Sequence, residues 1–186
     1  AGRKLEIPVY NIPYHQKLLG EQSAAYMGLA DIHQYHPSKD AFGEADLVLM
    51  VGGRLDNQMN FGNAPLFPQS TELICINGSH EEVDFNRAAD MTLLSDPGAF
   101  FDALISLGES ARSGRDEGWF ALNRQRRIDW IAGMQADVDA EAAAPEFGGR
   151  IHPLHLALDV HEAMQDDDWL VIDGGNTHFW SERAVN

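Results

Sequence analysis

Three short segments of the sequence place glycines or polar side chains where a nucleotide could be bound. Gly52, Gly53 and Arg54 end one apolar run; glycine lacks a Cβ and permits close backbone approach, and arginine pairs with phosphate. Asn77 ends the next run, where its side chain can bond a ribose hydroxyl, and Asp96 stands just before a helix N-terminus. Because open parallel sheets bind ligands beyond the carboxyl ends of their strands, these residues together predict a site for an adenine nucleotide.

The same residue types are also common in ordinary strand-to-helix turns, so a purely structural role stays open at this point. The sequence contains no G-x-G-x-x-G fingerprint and no G-x-x-x-x-G-K-[ST] loop, which excludes the standard dinucleotide and P-loop signatures. It also lacks the G-x-S-x-G nucleophile elbow of hydrolases. No catalytic residue is predicted from the residues themselves.

The eight histidines raise the question of a metal site. His33 and His36 are three residues apart, as are His152 and His155, and His161 follows. Metal ligation needs three or four convergent ligands, and a proline interrupts the local helix at both pairs. We therefore expect solvated or capping histidines and no metal site.

The elements that must position these residues alternate along the chain. Apolar runs that end in Gly, Asp or Asn predict five strands, at residues 5–13, 45–53, 71–78, 89–96 and 167–175. Helical patterns cover residues 97–107, 116–139 and 154–164, whereas 14–44 is predicted as partly helical and 54–70 as mostly loop. This alternation predicts an α/β fold with a doubly wound parallel sheet, a Rossmann-like arrangement.

Proline and paired glycines in residues 142–150 predict a linker. The interpretation is a domain at 1–141, the linker at 142–150, and a truncated second α/β unit at 151–186. Because the apolar run near residue 170 would lack partner strands, we expect residues 151–186 to be mobile, swapped, or packed against another copy.

Charge and cysteine content exclude several classes of partner. Thirteen Lys and Arg against 29 Asp and Glu give a net charge of −16, which disfavours nucleic acids and anionic membranes. Cys75 is the single cysteine, so no internal disulfide can form and a reducing, cytoplasmic location is expected. No apolar stretch has the length of a membrane span, and no signal peptide is evident.

The order of these motifs resembles the central domain of thiamine diphosphate-dependent enzymes. The similarity lies in ADLVLMVGGRLDNQMNFG, then TELICING, then EEVDFNRAADMTLLSDPGAFFDAL. Later, RIHPLHLALDVHEAM and DDWLVIDGGNTHFW are similar to the opening of the diphosphate-binding domain of that family. The nearest group is that of acetolactate synthase, oxalyl-CoA decarboxylase and 2-hydroxyacyl-CoA lyase.

The resemblance implies a fragment of a lyase or transferase that uses thiamine diphosphate and Mg²⁺. Its substrates would be α-keto acids or acyl-CoA thioesters, and relatives are homodimers or homotetramers. The family's first domain is absent here, and its Gly-Asp-Gly metal motif is missing because the sequence has no Gly-Asp dipeptide. The fragment is therefore expected to be inactive alone. The alternative is a stand-alone module that binds FAD, ADP or NAD, with a regulatory or structural role.

The resemblance also assigns positions. The central domain of this family binds FAD, ADP or nothing; Gly53 and Arg54 would approach phosphates and Asp96 would lie near the adenine. Asn77 stands where nucleotide-binding relatives usually have Asp. A loop that approaches thiamine diphosphate in the family corresponds to Gly174, Gly175, Asn176, Thr177 and His178.

Overall fold

The computed structural model describes residues 6–12, 19, 23–31, 35–107, 117–165 and 167–184. The chain forms two compact units, Ala1–Arg127 and Ile128–Asn186. The five strands of the described residues all belong to the first unit, and the regular structure described in the second unit is helical. No helix in the described ranges is both long and apolar enough to cross a bilayer.

The strands of the first unit pair in parallel. β1 (Val9–Asn11) pairs with β2 (Tyr26–Leu29). A second sheet contains β3 (Leu47–Val51), β4 (Glu72–Asn77) and β5 (Met91–Leu94), with β4 in the centre. Parallel strands cannot be joined by a tight hairpin turn. The chain between them therefore forms longer crossover connections, which can contain helices.

Helices flank and follow these strands. They are α1 (His36–Glu44), α2 (Pro97–Ser106), α3 (Glu117–Ala143), α4 (Pro153–Ala163) and α5 (Asn176–Ala184), with 3₁₀ turns at Asn57–Gly62 and Pro145–Phe147. Parallel strands with flanking helices confirm the prediction of a Rossmann-like α/β fold.

The core of the first unit lies against the three-stranded sheet. Met50 of β3 and Leu73 and Cys75 of β4 are buried in it. The rings of Phe42 and Phe67 stack in the same cluster with their centroids 5.2 Å apart. The apolar sequences of β3 and β4 thus build this core. In β3, however, only Val48 and Met50 are buried and Leu47 is 45% exposed, so this strand is not covered on both faces as its pattern predicts.

A strand occurs where the sequence predicted partial helix. All four residues of β2 are buried, within the range 14–44. Gly28 has φ +105°, and a Cβ there would collide with the ring of Tyr35, whose hydroxyl donates to the carbonyl of Met27 at 2.6 Å. Four residues interrupted by glycine carry too little periodicity to identify a strand. Helix α1 agrees with the helical part of the prediction, whereas residues 13–18, 20–22 and 32–34 lie outside the described residues.

The predicted strand at residues 167–175 is wrong. None of these residues forms a strand, and Trp169 and Val171 are 93% and 91% exposed. An apolar run becomes a strand only where a neighbouring strand satisfies its backbone groups, and the described residues of the second unit provide none. Instead of a helix–strand unit, this region continues into α5.

The division between the two compact units falls inside α3, between Arg127 and Ile128. Further along, α3 ends at Ala143, and Gly148 and Gly149 both have left-handed backbones, with φ +67° and +68°. The domain limits 1–141, 142–150 and 151–186 stay predictions.

Candidate functional site

The predicted strand-end residues lie side by side in the first unit. Leu94 pairs with Asn77 in the parallel register, which brings the ends of β4 and β5 level. The amide of Gly52 donates to the carbonyl of Ile76 at 2.8 Å, and the amide of Ser95 donates to the carbonyl of Asn77 at 2.9 Å. The chain segments that leave β3, β4 and β5 are therefore neighbours at one edge of the sheet, as expected for a ligand-binding edge.

The two glycines after β3 are explained by close packing. Gly52 has φ +71°, which favours glycine, and a Cβ there would lie 3.4 Å from Cγ of Pro97 in α2. At Gly53 a Cβ would collide with Cδ1 of Ile12, which follows β1. The absence of a Cβ at these two glycines therefore lets Pro97 and Ile12 pack closely against the backbone.

Asn77 and Asp96 each organise the backbone that follows them. Oδ1 of Asn77 accepts a hydrogen bond from the amide of Ser79 at 3.0 Å. Oδ1 of Asp96 accepts from the amide of Ala99 at 2.9 Å and caps α2 at its N-terminus. These two oxygens therefore take part in the local turns, as the structural interpretation of these residues expects.

Arg54 is held by the segment that follows β4. Its Nη2 donates to Oε1 of Glu82 at 2.7 Å, and its guanidinium carbon lies 5.1 Å from the centroid of the Phe85 ring. The Arg54 side chain is 46% exposed and that of Glu82 is 32% exposed. Arg54, which the sequence predicts to bind phosphate, is therefore a surface cation that already contacts a carboxylate and an aromatic ring.

Sequence reasoning missed Glu82 and Phe85. Glu82 lies in the acidic stretch after β4, a composition typical of a solvated turn, and an exposed phenylalanine carries no signal for a partner 31 positions away. Only the parallel register, which makes the segments after β3 and β4 neighbours, brings them to Arg54.

A polar cavity of about 300 Å³ lies elsewhere in this unit. Its lining residues are Gly62, Asn63, Ala64, Phe67, Gln69, Asn86 and Arg87, and none of the predicted site residues is among them. Arg87 is used structurally there, since its Nη2 donates to the carbonyl of Thr71 at 2.8 Å.

The second group of predicted residues lies in the other unit. Gly175 has φ +79°, and Asn176, Thr177 and His178 form the first turn of α5, where a loop was expected. Oδ1 of Asp173 accepts from the amide of Gly174 at 2.8 Å. Nε2 of His178 lies 3.2 Å from Oε1 of Glu182, one helical turn later.

The two histidines near α4 form hydrogen bonds within the second unit. His152 is buried, and its Nδ1 accepts from the amide of Leu154 at 3.1 Å, which caps the helix. Nε2 of His155 bonds Oδ1 of Asp139 at 2.9 Å, and this bond is the main reason that the pKa of Asp139 lies below its ordinary value. His33 lies outside the described residues.

The described residues do not contain a metal centre built from protein side chains alone. Within the ranges that the structure describes, no three His, Cys, Asp or Glu side chains are grouped to hold a metal ion. The sequence also lacks the Gly-Asp dipeptide of the family's metal motif. No catalytic step through thiamine diphosphate therefore follows from these residues.

Comparison with known proteins agrees with the fold and with the order of the motifs. Residues 2–104 match a family model described as thiamine pyrophosphate enzyme, central domain. The chain is also 22% identical over 182 residues to the acetolactate synthase large subunit of Parasynechococcus marenigrum (strain WH8102). That alignment covers 95% of this chain but 28% of the relative, so the chain spans well under a third of the relative's length. The chain thus belongs to the thiamine pyrophosphate enzyme family, through the central domain that residues 2–104 match.

Proposed function

We propose that the edge formed by the ends of β3, β4 and β5 binds the adenosine diphosphate part of FAD or ADP. The single observation that carries this proposal is the adjacency of the three strand ends, which groups Arg54, Asn77 and the N-terminus of α2. Arg54 would pair with a phosphate, the Asn77 amide would bond a ribose hydroxyl, and the region of Asp96 would face the adenine.

Isothermal titration calorimetry with ADP, FAD and NAD tests this site. We expect ADP or FAD to bind, and Arg54→Ala to weaken binding about 10-fold or more, since a charge-assisted bond to phosphate is lost. Arg124→Ala on the exposed face of α3 is the matched control, because it removes the same charge elsewhere in the first unit. If none of the three nucleotides binds, or if both variants lose affinity equally, the proposal is wrong.

For the whole protein, we propose a thiamine diphosphate-dependent decarboxylase or carboligase, a lyase or transferase that acts on α-keto acids or acyl-CoA thioesters. The similarity to an acetolactate synthase large subunit supports this class. Thiamine diphosphate supplies the carbanion chemistry in such enzymes, and other segments would hold it with Mg²⁺. Gly174, Gly175, Asn176, Thr177 and His178 would approach it from this chain. The chain alone would be inactive, and the complete enzyme a cytoplasmic homodimer or homotetramer.

The coding sequence on both sides of residues 1 and 186 separates this proposal from the alternative of a stand-alone nucleotide-binding module. An upstream domain and a downstream Gly-Asp-Gly motif would support the enzyme. Stop codons directly outside both ends would instead support the module.

A further inference from the structure

The segment from Ser79 to Arg87, which we name the β4 arm, carries Glu82 and Phe85, which contact Arg54. Oε1 of Glu82 receives the Arg54 hydrogen bond at 2.7 Å, and the Phe85 ring lies under the guanidinium with its centroid 5.1 Å from Cζ. Arg54 thus contacts a carboxylate and an aromatic ring that come from the same segment.

The β4 arm is anchored independently of this contact. Val83 is buried in the core, and Nδ2 of Asn86 donates to the carbonyl of Leu55 at 2.7 Å. Arg87 holds the end of the arm through the carbonyl of Thr71. The backbone amide of Ala89 is bound at 2.8 Å by Oδ1 of Asp84. The segment that carries Glu82 is therefore held by contacts that do not involve Arg54.

We propose that Glu82 is a specificity-determining residue that competes with phosphate for Arg54 and so lowers the affinity of this edge for anionic ligands. The inference rests on the proposed nucleotide site. A carboxylate presents the same kind of oxygen acceptor to a guanidinium as a phosphate does, and Glu82 already accepts from Nη2 of Arg54. A phosphate must therefore displace Glu82 from this donor or bind the remaining donors beside its negative charge. A phosphate that displaces Glu82 also meets the released carboxylate as a neighbouring negative charge.

The size of the effect follows from exposure. Because both side chains are partly open to water, the ion pair is weak and is further screened by salt. Replacing Glu82 by a neutral residue removes both the ion pair and the repulsion of the phosphate. At low ionic strength this should raise the affinity for ADP on the order of 3- to 10-fold. Phe85 keeps the guanidinium in place after Glu82 is removed, so the variant gains an available cation rather than a disordered one.

Calorimetry with ADP at low ionic strength tests the competition in the full chain. Glu82→Gln should bind ADP about 3- to 10-fold more tightly than the wild type, and the gain should shrink as salt is added. Glu81→Gln is the matched control: it removes one negative charge from the adjacent exposed residue, and we expect less than about a 2-fold change. Uncharged adenosine should not distinguish Glu82→Gln from the wild type.

The double variant Arg54→Ala with Glu82→Gln should lose the gain. No gain in Glu82→Gln, an equal gain in Glu81→Gln, or a gain that persists without Arg54 would overturn the competition. If the wild type binds ADP in an Arg54-dependent way while Glu82→Gln is unchanged, this inference alone fails. If neither the wild type nor Glu82→Gln binds ADP, the nucleotide site itself fails with it. Glu82→Ala, with circular dichroism as a folding check, guards against an effect peculiar to the glutamine.

Discussion

Gly53 has a structural requirement that its position after a strand does not reveal. Its spacing next to Arg54 predicts backbone access for a ligand, but in the folded chain Cδ1 of Ile12 occupies the space of a Cβ. The absence of a side chain at Gly53 thereby allows Ile12, which follows β1, to pack against the end of β3. Substitution there should act on stability before it acts on binding.

We expect Gly53→Ala to destabilise the first unit by about 0.5–1.5 kcal/mol, because Cδ1 of Ile12 must turn into a less favourable rotamer to make room. Adding Ile12→Val, which removes Cδ1, should restore part of this loss. Urea denaturation followed by far-ultraviolet circular dichroism measures both changes.

Gly133→Ala is the matched control, since no atom lies within 4 Å of a Cβ there and the residue is inside helix α3. It should be neutral or should stabilise by about 0.5–1 kcal/mol because alanine favours helix. Equal losses at Gly53 and Gly133 would contradict the packing explanation.

Among the elements, α2 combines a side-chain N-cap with the absence of buried side chains. No side chain of α2 is fully buried, so tertiary packing contributes less to it than to most helices. The Asp96 carboxylate satisfies one N-terminal amide, and Pro97 occupies a position where a missing N–H costs nothing. The same aspartate is one of the proposed site residues.

We expect Asp96→Ala to destabilise α2 by about 0.5–2 kcal/mol, as the loss of an N-cap does. Hydrogen exchange should accelerate in α2 more than in β3 or β4. Asp102→Ala removes an exposed carboxylate from the middle of the same helix and should leave exchange nearly unchanged.

The contact between α3 and α4 in the second unit predicts a pH dependence. The hydrogen bond from His155 lowers the pKa of Asp139 in the folded chain, so the stabilisation is present above the ordinary aspartate range and is lost as pH falls through the lowered value. Asp139→Asn should therefore remove part of the acid-dependent loss of stability. Thermal melts from pH 7 to pH 3 measure this, and identical pH profiles for the two proteins would refute it.

How far each element could be predicted depends on where its stabilising contacts come from. The runs that became β3 and β4 are long and apolar, and this pattern predicts both strands, although in β3 only alternate residues are buried. β2 is different: it contains Gly28, against which the Tyr35 ring packs, and this tertiary contact is not visible in the local sequence. Residues 167–175 have the composition of a strand, but backbone pairing depends on neighbours that the local sequence cannot specify.

The candidate site divides in the same way. The adjacency of Arg54, Asn77 and Asp96 follows from parallel strands, which the sequence predicts. The ion pair of Arg54 with Glu82 spans 28 positions and depends on how the turn after β4 is anchored. The turn is anchored by hydrogen bonds from the side chains of Asn86 and Arg87 to backbone carbonyls. Such bonds leave no periodic pattern in the sequence from which they could be predicted.

Across the molecule, each unit taken by itself carries exposed apolar residues. In the first, all four residues of β5 are exposed, with Leu94 at 61%. In the second, Trp169 and Val171 are almost fully exposed. Surfaces of this kind are typical of contacts with other protein.

We expect the chain to self-associate as its concentration rises, because association removes this surface from water. The double substitution Trp169→Ser with Val171→Ser should weaken association, whereas Asp167→Ser in the same segment should not. Sedimentation velocity over a range of concentrations measures the change. A wild-type chain that stays monomeric at every concentration would contradict the prediction.

The burial of Cys75 in the middle strand of the larger sheet has a practical consequence. Burial raises the pKa of this thiol, so alkylating reagents should react with it only when the sheet opens. Since the sequence has one cysteine, the alkylation rate reports exposure of β4 without any engineered label. If ADP binds at the ends of β3, β4 and β5, it should slow the alkylation of Cys75. The ratio of the rates with and without ADP would then measure how much binding suppresses transient opening of the sheet.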